Sequence, residues 1–465
     1  MRPGVPPELR GGVIVAGAGV SGIGMANLLR DIGVAVLVAD DRDPGRARAA
    51  AAGHRAVSTA EARAHFGEVG AVVTSPGWRP NSPLLVDASF ASLPVLGDVE
   101  ACYRLDRAGV FGPPRQWLVV TGTNGKTTTT GMLAAMMAQL GADTGKRARA
   151  CGNIGVAVAD ALTAAERIDV LVAELSSFQL FWSDQLTPDA GVLLNLADDH
   201  LDWHGSFAHY AAAKARVLTA THAVAGVDDA HVRELVARTG RDDIVGFTLA
   251  EPGPGQVGVA GGRLVANLGG EPRDLASAEG IEPAGAAGVL DALAASAVAL
   301  TQGAQPHHIQ AALQAYRVEG HRGAVVHSSG GVDWVDNSKA TNPHAADSAL
   351  TGAGTVVWIA GGQLKGAAVE ELVAAHAAQF RAVALLGVDR GVLRGAVEKL
   401  APHVPLFVSD ATDPERAMAE VVDFAASQAQ PGDTVLLAPA AASLDMFPGM
   451  SARGNAFAAA AVRHS

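Results

Sequence analysis

The stretch VVTGTNGKTTTT, Val119 to Thr130, places two glycines, a lysine and a threonine at the spacing of a phosphate cradle. Gly122 and Gly125 would let backbone amides approach phosphate oxygens, Lys126 would neutralise the β and γ oxygens, and the Thr127 hydroxyl would reach magnesium. The strict pattern needs glycine at position 120, where Val120 stands, so the loop reads as a shorter GTNGKT over Gly122 to Thr127. An ordinary helix N-cap turn is the plain alternative.

Two further stretches carry metal chemistry. DVLVAELSSFQL ends an apolar run at Glu174, where a carboxylate could ligate the metal of a bound triphosphate. AGVLLNLADDHLDWHGS delivers Asp198, Asp199, His200, Asp202 and His204 to one short segment. Zinc is one reading of the histidines, but the oxygen-rich surroundings suit magnesium or manganese better, and a solvated acidic turn is the bland reading. Near the start, Gly17, Gly19 and Gly22 fit G-x-G-x-x-G, with Asp40 and Asp41 about twenty residues on. That fingerprint fits NAD or FAD, another nucleotide, or a purely structural turn.

These residues need strands that end where the chemistry is. GGVIVAG, WLVVTG and DVLVAE read as apolar strands, and TTTTGMLAAMMAQLG reads as a helix ending at Gly141. FGPPRQ, Phe111 to Gln116, reads as a linker. After YRVEGHRGAVV, short apolar runs alternate with helical stretches at Val369 to Gln379 and Pro414 to Gln428, the pattern of another doubly wound sheet. The fold class is therefore α/β. Three domains are expected: 1–112, Rossmann-like; 113–317, a P-loop domain; and 318–465, Rossmann-like.

Composition bounds the function. A chain of 465 residues exceeds one ordinary core. No long wholly apolar run calls for a membrane span, and the Pro- and Gly-containing MRPGVPPELRGG does not read as a signal peptide, so a cytoplasmic protein is expected. A net charge of −12 disfavours nucleic acid as a partner. Cys102 and Cys151 cannot form a disulfide framework and read as buried small apolar residues. Lysine is confined to Lys126, Lys146, Lys214, Lys339, Lys365 and Lys399 among 35 basic residues.

TGTNGKTTTT, GNIG, ELSSFQL, DDHLDWHGS, EGHR, DNSKATN, AGGQLKG and ASLDMF, in this order along nearly the whole chain, resemble the Mur ligases. The resemblance implies ATP-dependent amide formation in peptidoglycan precursor synthesis. ATP would phosphorylate the carboxylate of UDP-N-acetylmuramoyl-L-alanine, and the amine of D-glutamate would attack the acyl phosphate. It also implies magnesium or manganese as cofactor, small molecules as the only partners, and a monomer.

By the same resemblance Gly122, Thr123, Asn124, Gly125, Lys126, Thr127, Thr128, Arg322 and Asn337 bind ATP, with His321 beside them. Thr127, Glu174, His200 and a carbamylated Lys214 hold metal, and Lys126, His200 and Lys214 are catalytic. A carbamate turns a cation into an anion that can bind magnesium; from sequence alone Lys214 would read as a solvated helix lysine. Gly17, Gly19 and Ser21 become donors to a UDP diphosphate, Asp40, Asp41 and Arg42 the uracil end, and Asn153, Ser176 and Gln179 contacts to the UDP substrate. Thr341, Lys365, Ser443 and Leu444 contact D-glutamate.

The chain departs from the family pattern at Ala287, Gly288 and Asp291, where polar residues usually face adenine, and at Gln363, Leu364, Asn337 and Met450. Two other readings stay open: a Mur-type paralogue using another amino acid or lacking catalysis, and a nicotinamide-dependent oxidoreductase built on the first segment.

Overall fold

The computed structural model describes residues 1–318, 320–351 and 353–464. The chain divides into two compact units. One comprises Met1–Leu196 with Ala211–Tyr316, and the other Ala197–Tyr210 with Arg317–Ser465.

The first unit holds two sheets. Strands β1 (Val13–Ala16), β2 (Val36–Ala39), β3 (Arg55–Val57), β4 (Ala71–Thr74) and β5 (Val95–Gly97) form an all-parallel sheet in the order β3-β2-β1-β4-β5. The order reverses between β1 and β4, so the crevice at their C-terminal ends is the switch point where such sheets bind ligands. Helix Val20–Asp31 leaves β1 through the glycine turn.

The second sheet runs β14-β13-β12-β11-β10-β9-β6-β8-β7. Its members are β6 (Gln116–Thr121), β7 (Ala148–Gly152), β8 (Val170–Glu174), β9 (Ala190–Leu193), β10 (His222–Gly226), β11 (Val245–Phe247), β12 (Gln256–Ala260), β13 (Arg263–Asn267) and β14 (Arg273–Ser277). β6 lies between β8 and β9, both parallel to it, with Val120 opposite Glu174 and Thr121 opposite Leu193. The ends of three strands thus meet at the GTNGKT loop. Leu118, Val120, Met132, Leu133, Met136 and Leu293 pack in the core beneath. Strands β12 to β14, which pair antiparallel, were not expected: their short alternating runs, broken by Gly261, Gly262, Gly269 and Gly270, carry weak periodicity.

The helix after the loop spans Lys126–Thr144, one turn beyond the expected stop. Gly141 lies inside it and packs too closely against Lys146 O for any side chain. The left-handed residue that ends the helix is Gly145, at φ 73°.

In the second unit, β15 (Ala324–Ser329), β16 (Val332–Asp336), β17 (Val356–Gly361), β18 (Phe380–Leu386), β19 (Leu406–Val408) and β20 (Thr434–Leu437) form a sheet in the order β15-β16-β20-β17-β18-β19. It is parallel except for the β15–β16 hairpin. Helix Pro414–Gln428 runs as expected, whereas the stretch at Val369 to Gln379 divides into helix Glu370–His376 and a 3₁₀ turn, Ala377–Gln379.

Candidate active site

The GTNGKT loop is held from behind. Asn195, just past β9, accepts from Asn124 N at 2.9 Å and donates to Asn124 O at 3.2 Å, while its carbonyl accepts from Thr123 N. Gly125 enters the helix at φ 83°, and a Cβ there would lie 2.2 Å from Asp291 Oδ1, so only glycine fits. Asp291 in turn accepts from the Thr129 hydroxyl at 3.1 Å. Its position, where the family pattern has a polar residue facing adenine, here braces the loop. A Cβ on Gly288 lies 1.7 Å from Pro283 O, so no anchor of that kind could stand there in this backbone.

Lys126 Nζ folds back onto the loop, donating to Gly122 O at 3.0 Å and Thr123 O at 2.7 Å. Lys214 is 2% exposed, so the solvated-lysine reading fails. Its Nζ donates to the same Gly122 O at 2.7 Å and contacts Thr121 Oγ1 at 3.3 Å.

Glu174, at the end of β8, is buried. Its Oε1 accepts from Asn153 Nδ2 at 2.9 Å, while Oε2 has no hydrogen-bond partner among the described residues. A buried carboxylate oxygen left open costs free energy unless something fills its place. A divalent cation suits that oxygen, which lies at the end of a strand paired to the one that feeds the loop. The signal for Asn153 as a partner of Glu174 was the register, which sets Gly152 opposite Glu174. Ser176 and Gln179 form a reciprocal capping box at the start of helix Ser177–Phe181, so their side chains serve that turn.

In the first sheet the glycine turn is tight. Gly17 sits at φ 98°, and a Cβ on Gly22 would lie 1.9 Å from Gly17 O. Asp40 is turned inward, 4% exposed, accepting from Ala18 N and Arg42 N, both at 2.9 Å. Burial works to raise its pKa, but those two amides and the Arg42 guanidinium outweigh it and hold it below the ordinary carboxylate range. Asp40 thus braces the turn, Asp41 is bonded by Thr59, and Arg42 stays largely exposed. Ser21, in the first turn of helix Val20–Asp31, hydrogen-bonds Asp98, a residue that sequence reasoning missed because nothing in its spacing marks it.

In the second unit, the acid and histidine stretch is not a loose solvated turn. His200 adopts left-handed backbone at φ 54°, its Nε2 is 3.6 Å from Asp199 Oδ2, and His204 is buried. Asp199 Oδ1 pairs with Lys365 Nζ at 3.3 Å. His321 Nδ1 meets Asp336 Oδ2 at 2.6 Å, over Gly454, which leaves no room for a side chain. Arg322 and Asn337 lie beside that pair in sequence, both half-buried. Thr341 and Lys365 are also half-buried, Ser443 is buried, and Leu444 is 71% exposed. Arg453, another residue missed, is 1% exposed and donates to Ser338 Oγ and to the carbonyls of Ser338, Gly361 and Ala441. Burial pulls its pKa down to about 10, against the opposing fields of Asp445 and Asp336. It ties the end of β17 at Gly361 to the segments carrying Ser338 and Ala441.

The Mur ligase middle domain matches residues 120–254, and the Mur ligase glutamate ligase domain matches residues 321–441. The UDP-N-acetylmuramoylalanine–D-glutamate ligase of Corynebacterium efficiens is 57% identical over 464 residues, covering 98% of this chain and 95% of that one. The enzyme of the same name from Mycobacterium avium is 44% identical, covering 99% and 97%. Among solved structures, UDP-N-acetylmuramate-alanine ligase MurC from Thermotoga maritima superposes with a TM-score of 0.56 at 16% identity, covering 98% of this chain and 100% of that chain. MurF ligase from the same organism, in complex with ADP, gives 0.54 at 16% identity, covering 92% and 96%. These two likenesses concern the fold alone.

Proposed function

We infer the reaction from one premise: the chain belongs to the Mur ligase family. It is an ATP-dependent, amide-forming ligase that adds D-glutamate to UDP-N-acetylmuramoyl-L-alanine in peptidoglycan synthesis. The oxidoreductase reading of the first segment falls, since relatives matched over 98–99% of this chain, the first segment included, are named as ligases. Among the described residues no helix is long and apolar enough to cross a membrane.

The assignment of residues rests on one observation: Lys126, Thr127, Glu174 and Lys214 converge where β6 and β8 end. Lys126 leaves the loop carbonyls to neutralise the phosphates, and the amides of Gly122 to Thr128 take their oxygens. A carboxylate that must approach a triphosphate meets strong repulsion, so these donors lower the barrier by offsetting charge where phosphoryl transfer occurs. Thr127 and Glu174 Oε2 would hold magnesium or manganese, which supplies further charge neutralisation; a carbamylated Lys214 completes the candidate ligands of this unit. Asn153 then positions Glu174 and acts on the UDP substrate only indirectly.

The turn at Gly17, Gly19 and Ser21 takes the UDP diphosphate, with Asp41 and Arg42 toward uracil and Asp40 fixing the turn. Thr341, Lys365, Ser443 and Leu444 take D-glutamate, and His321, Arg322 and Asn337 serve ATP. The neutral amine of D-glutamate attacks the acyl carbon and forms the C–N bond, the nitrogen gives up a proton to solvent, the C–O bond to phosphate breaks, and inorganic phosphate leaves with the electron pair of that bond.

Phosphate release, followed with ATP, UDP-N-acetylmuramoyl-L-alanine and each amino acid in turn, tests this. Release with D-glutamate alone is expected. Release with a different amino acid would move the specificity, and none with any would refute the ligase reading.

A further inference from the structure

Asp98 opens helix Asp98–Arg107 directly after β5, at the edge of the sheet whose glycine turn carries Ser21. The Ser21 hydroxyl hydrogen-bonds its carboxylate, as do the amides of Val99 and of Asp98 itself. The Oδ1 atom is shut off from solvent and has no hydrogen-bond partner among the described residues. Among the described residues no cationic side chain acts on this carboxylate. β4 and β5 carry no titratable side chain, and helix Val20–Asp31 carries Arg30 and Asp31 only in its last turn. Helix Val158–Leu162 contributes another acid, Asp160, which rests against Gly24. On the helix of Asp98 itself, Glu100 is paired with Arg104 and Asp106 with Arg115, while Cys102 is a buried thiol.

We propose that Asp98 is a positioning residue for the nucleotide substrate: diphosphate bound at the Gly17–Ser21 turn draws a proton from solvent onto Asp98, which frees the Ser21 hydroxyl to donate to a phosphate oxygen. With Asp98 ionised, the Ser21 proton points at the carboxylate, and Ser21 meets a phosphate only with its lone pairs. With Asp98 neutral, the carboxyl donates to Ser21 Oγ and the serine proton turns outward. The arriving negative charge itself favours the neutral carboxyl, because like charges disfavour joint ionisation. Burial pushes the Asp98 carboxyl up to about 6, against the pull of the Val99 and Asp98 amides and the Ser21 hydroxyl, so the proton is within reach at neutral pH. The inference rests on the reading of the first sheet as the site of a UDP substrate.

Linkage gives the sign. Bound diphosphate raises the Asp98 pKa above its free value, so between the two values binding takes up a proton and affinity falls as pH rises. The fall approaches about tenfold per pH unit where uptake is complete, and affinity is flat below pH ~6.

Calorimetry of UDP-N-acetylmuramoyl-L-alanine binding to the full chain, in buffers of different ionisation enthalpy at pH 7, reads the proton directly. Uptake by the wild type, its loss in Asp98→Asn, and a flatter affinity profile in that variant up to pH 8 are expected. Binding without uptake, or equal uptake in Asp98→Asn, overturns the inference and leaves the substrate reading standing; no binding at all overturns both. Infrared difference spectra of the wild type need no variant: a protonated-carboxyl band should appear on binding, and its absence also overturns the proposal.

Discussion

Lys126 and Lys214 donate to the same oxygen, the carbonyl of Gly122, from 3.0 and 2.7 Å. Two ammonium groups held this close in a partly buried loop repel one another. A carbamate on Lys214 would turn that repulsion into attraction. Protein exposed to ¹³C-bicarbonate should therefore show a carbamate resonance that is absent from Lys214→Ala. Wild-type protein lacking the resonance, with full activity, would remove Lys214 from the metal site.

Lys126→Ala should lower phosphate release at least about a hundredfold, the usual cost of losing one donor to developing charge. Binding of UDP-N-acetylmuramoyl-L-alanine, assigned to the first sheet, should be unchanged within twofold or so by the same calorimetry. Parallel loss of both would refute the separation of the two sites.

The 2.9 Å bond from Asn153 to Glu174 makes a prediction that divides two roles. If Asn153 positions the carboxylate, Asn153→Ala should raise the magnesium concentration needed for half-maximal rate and lower kcat about tenfold, while KM for the UDP substrate changes little. A large rise in that KM at unchanged magnesium demand would restore Asn153 to direct substrate contact.

Asp98 also bears on stability in the absence of ligand. Its carboxyl titrates at about 6 in the folded chain, against an ordinary 3.8. A raised carboxyl pKa means the cost of the buried charge is fully present above pH ~6 and gone below pH ~4. Asp98→Asn should thus raise Tm relative to wild type more at pH 8 than at pH 4. About two pKa units set a ceiling of roughly 3 kcal/mol on the difference. Equal effects at the two pH values would show that the charge is compensated.

Burial pushes the Cys102 thiol far up and the Cys151 thiol to about 12. Neither should react with a thiol reagent in the native state at pH 8, and both should react once denatured. Rapid native labelling of either would mean that its surroundings open.

The P-loop was legible because its chemistry is local: glycine, lysine and threonine must be neighbours, and β6 and helix Lys126–Thr144 follow from the flanking pattern. Glu174 was legible for a related reason, as the polar end of an apolar run. Asn195, Asp291 and Arg453 were not, since each acts on residues far away in sequence: Asp291 on Gly125 and the Thr129 hydroxyl, and Arg453 on the carbonyls of Ser338 and Gly361. For Ser176 and Gln179 the family resemblance implied contacts to the UDP substrate, while their spacing, serine followed three residues on by glutamine, is that of a helix cap, which they form here.

By itself the sequence determined the α/β class, the strand ends that carry the phosphate loop, and membership of a ligase family, because those are written in short-range pattern and motif order. Only the tertiary structure decided that Lys214 is buried against Gly122, that Glu174 keeps one oxygen open, and that Asp98 holds Ser21. Each depends on which strands become neighbours. Strand order follows from burying the largest apolar surface across the sheet, a sum over residues far apart in the chain that no local spacing records.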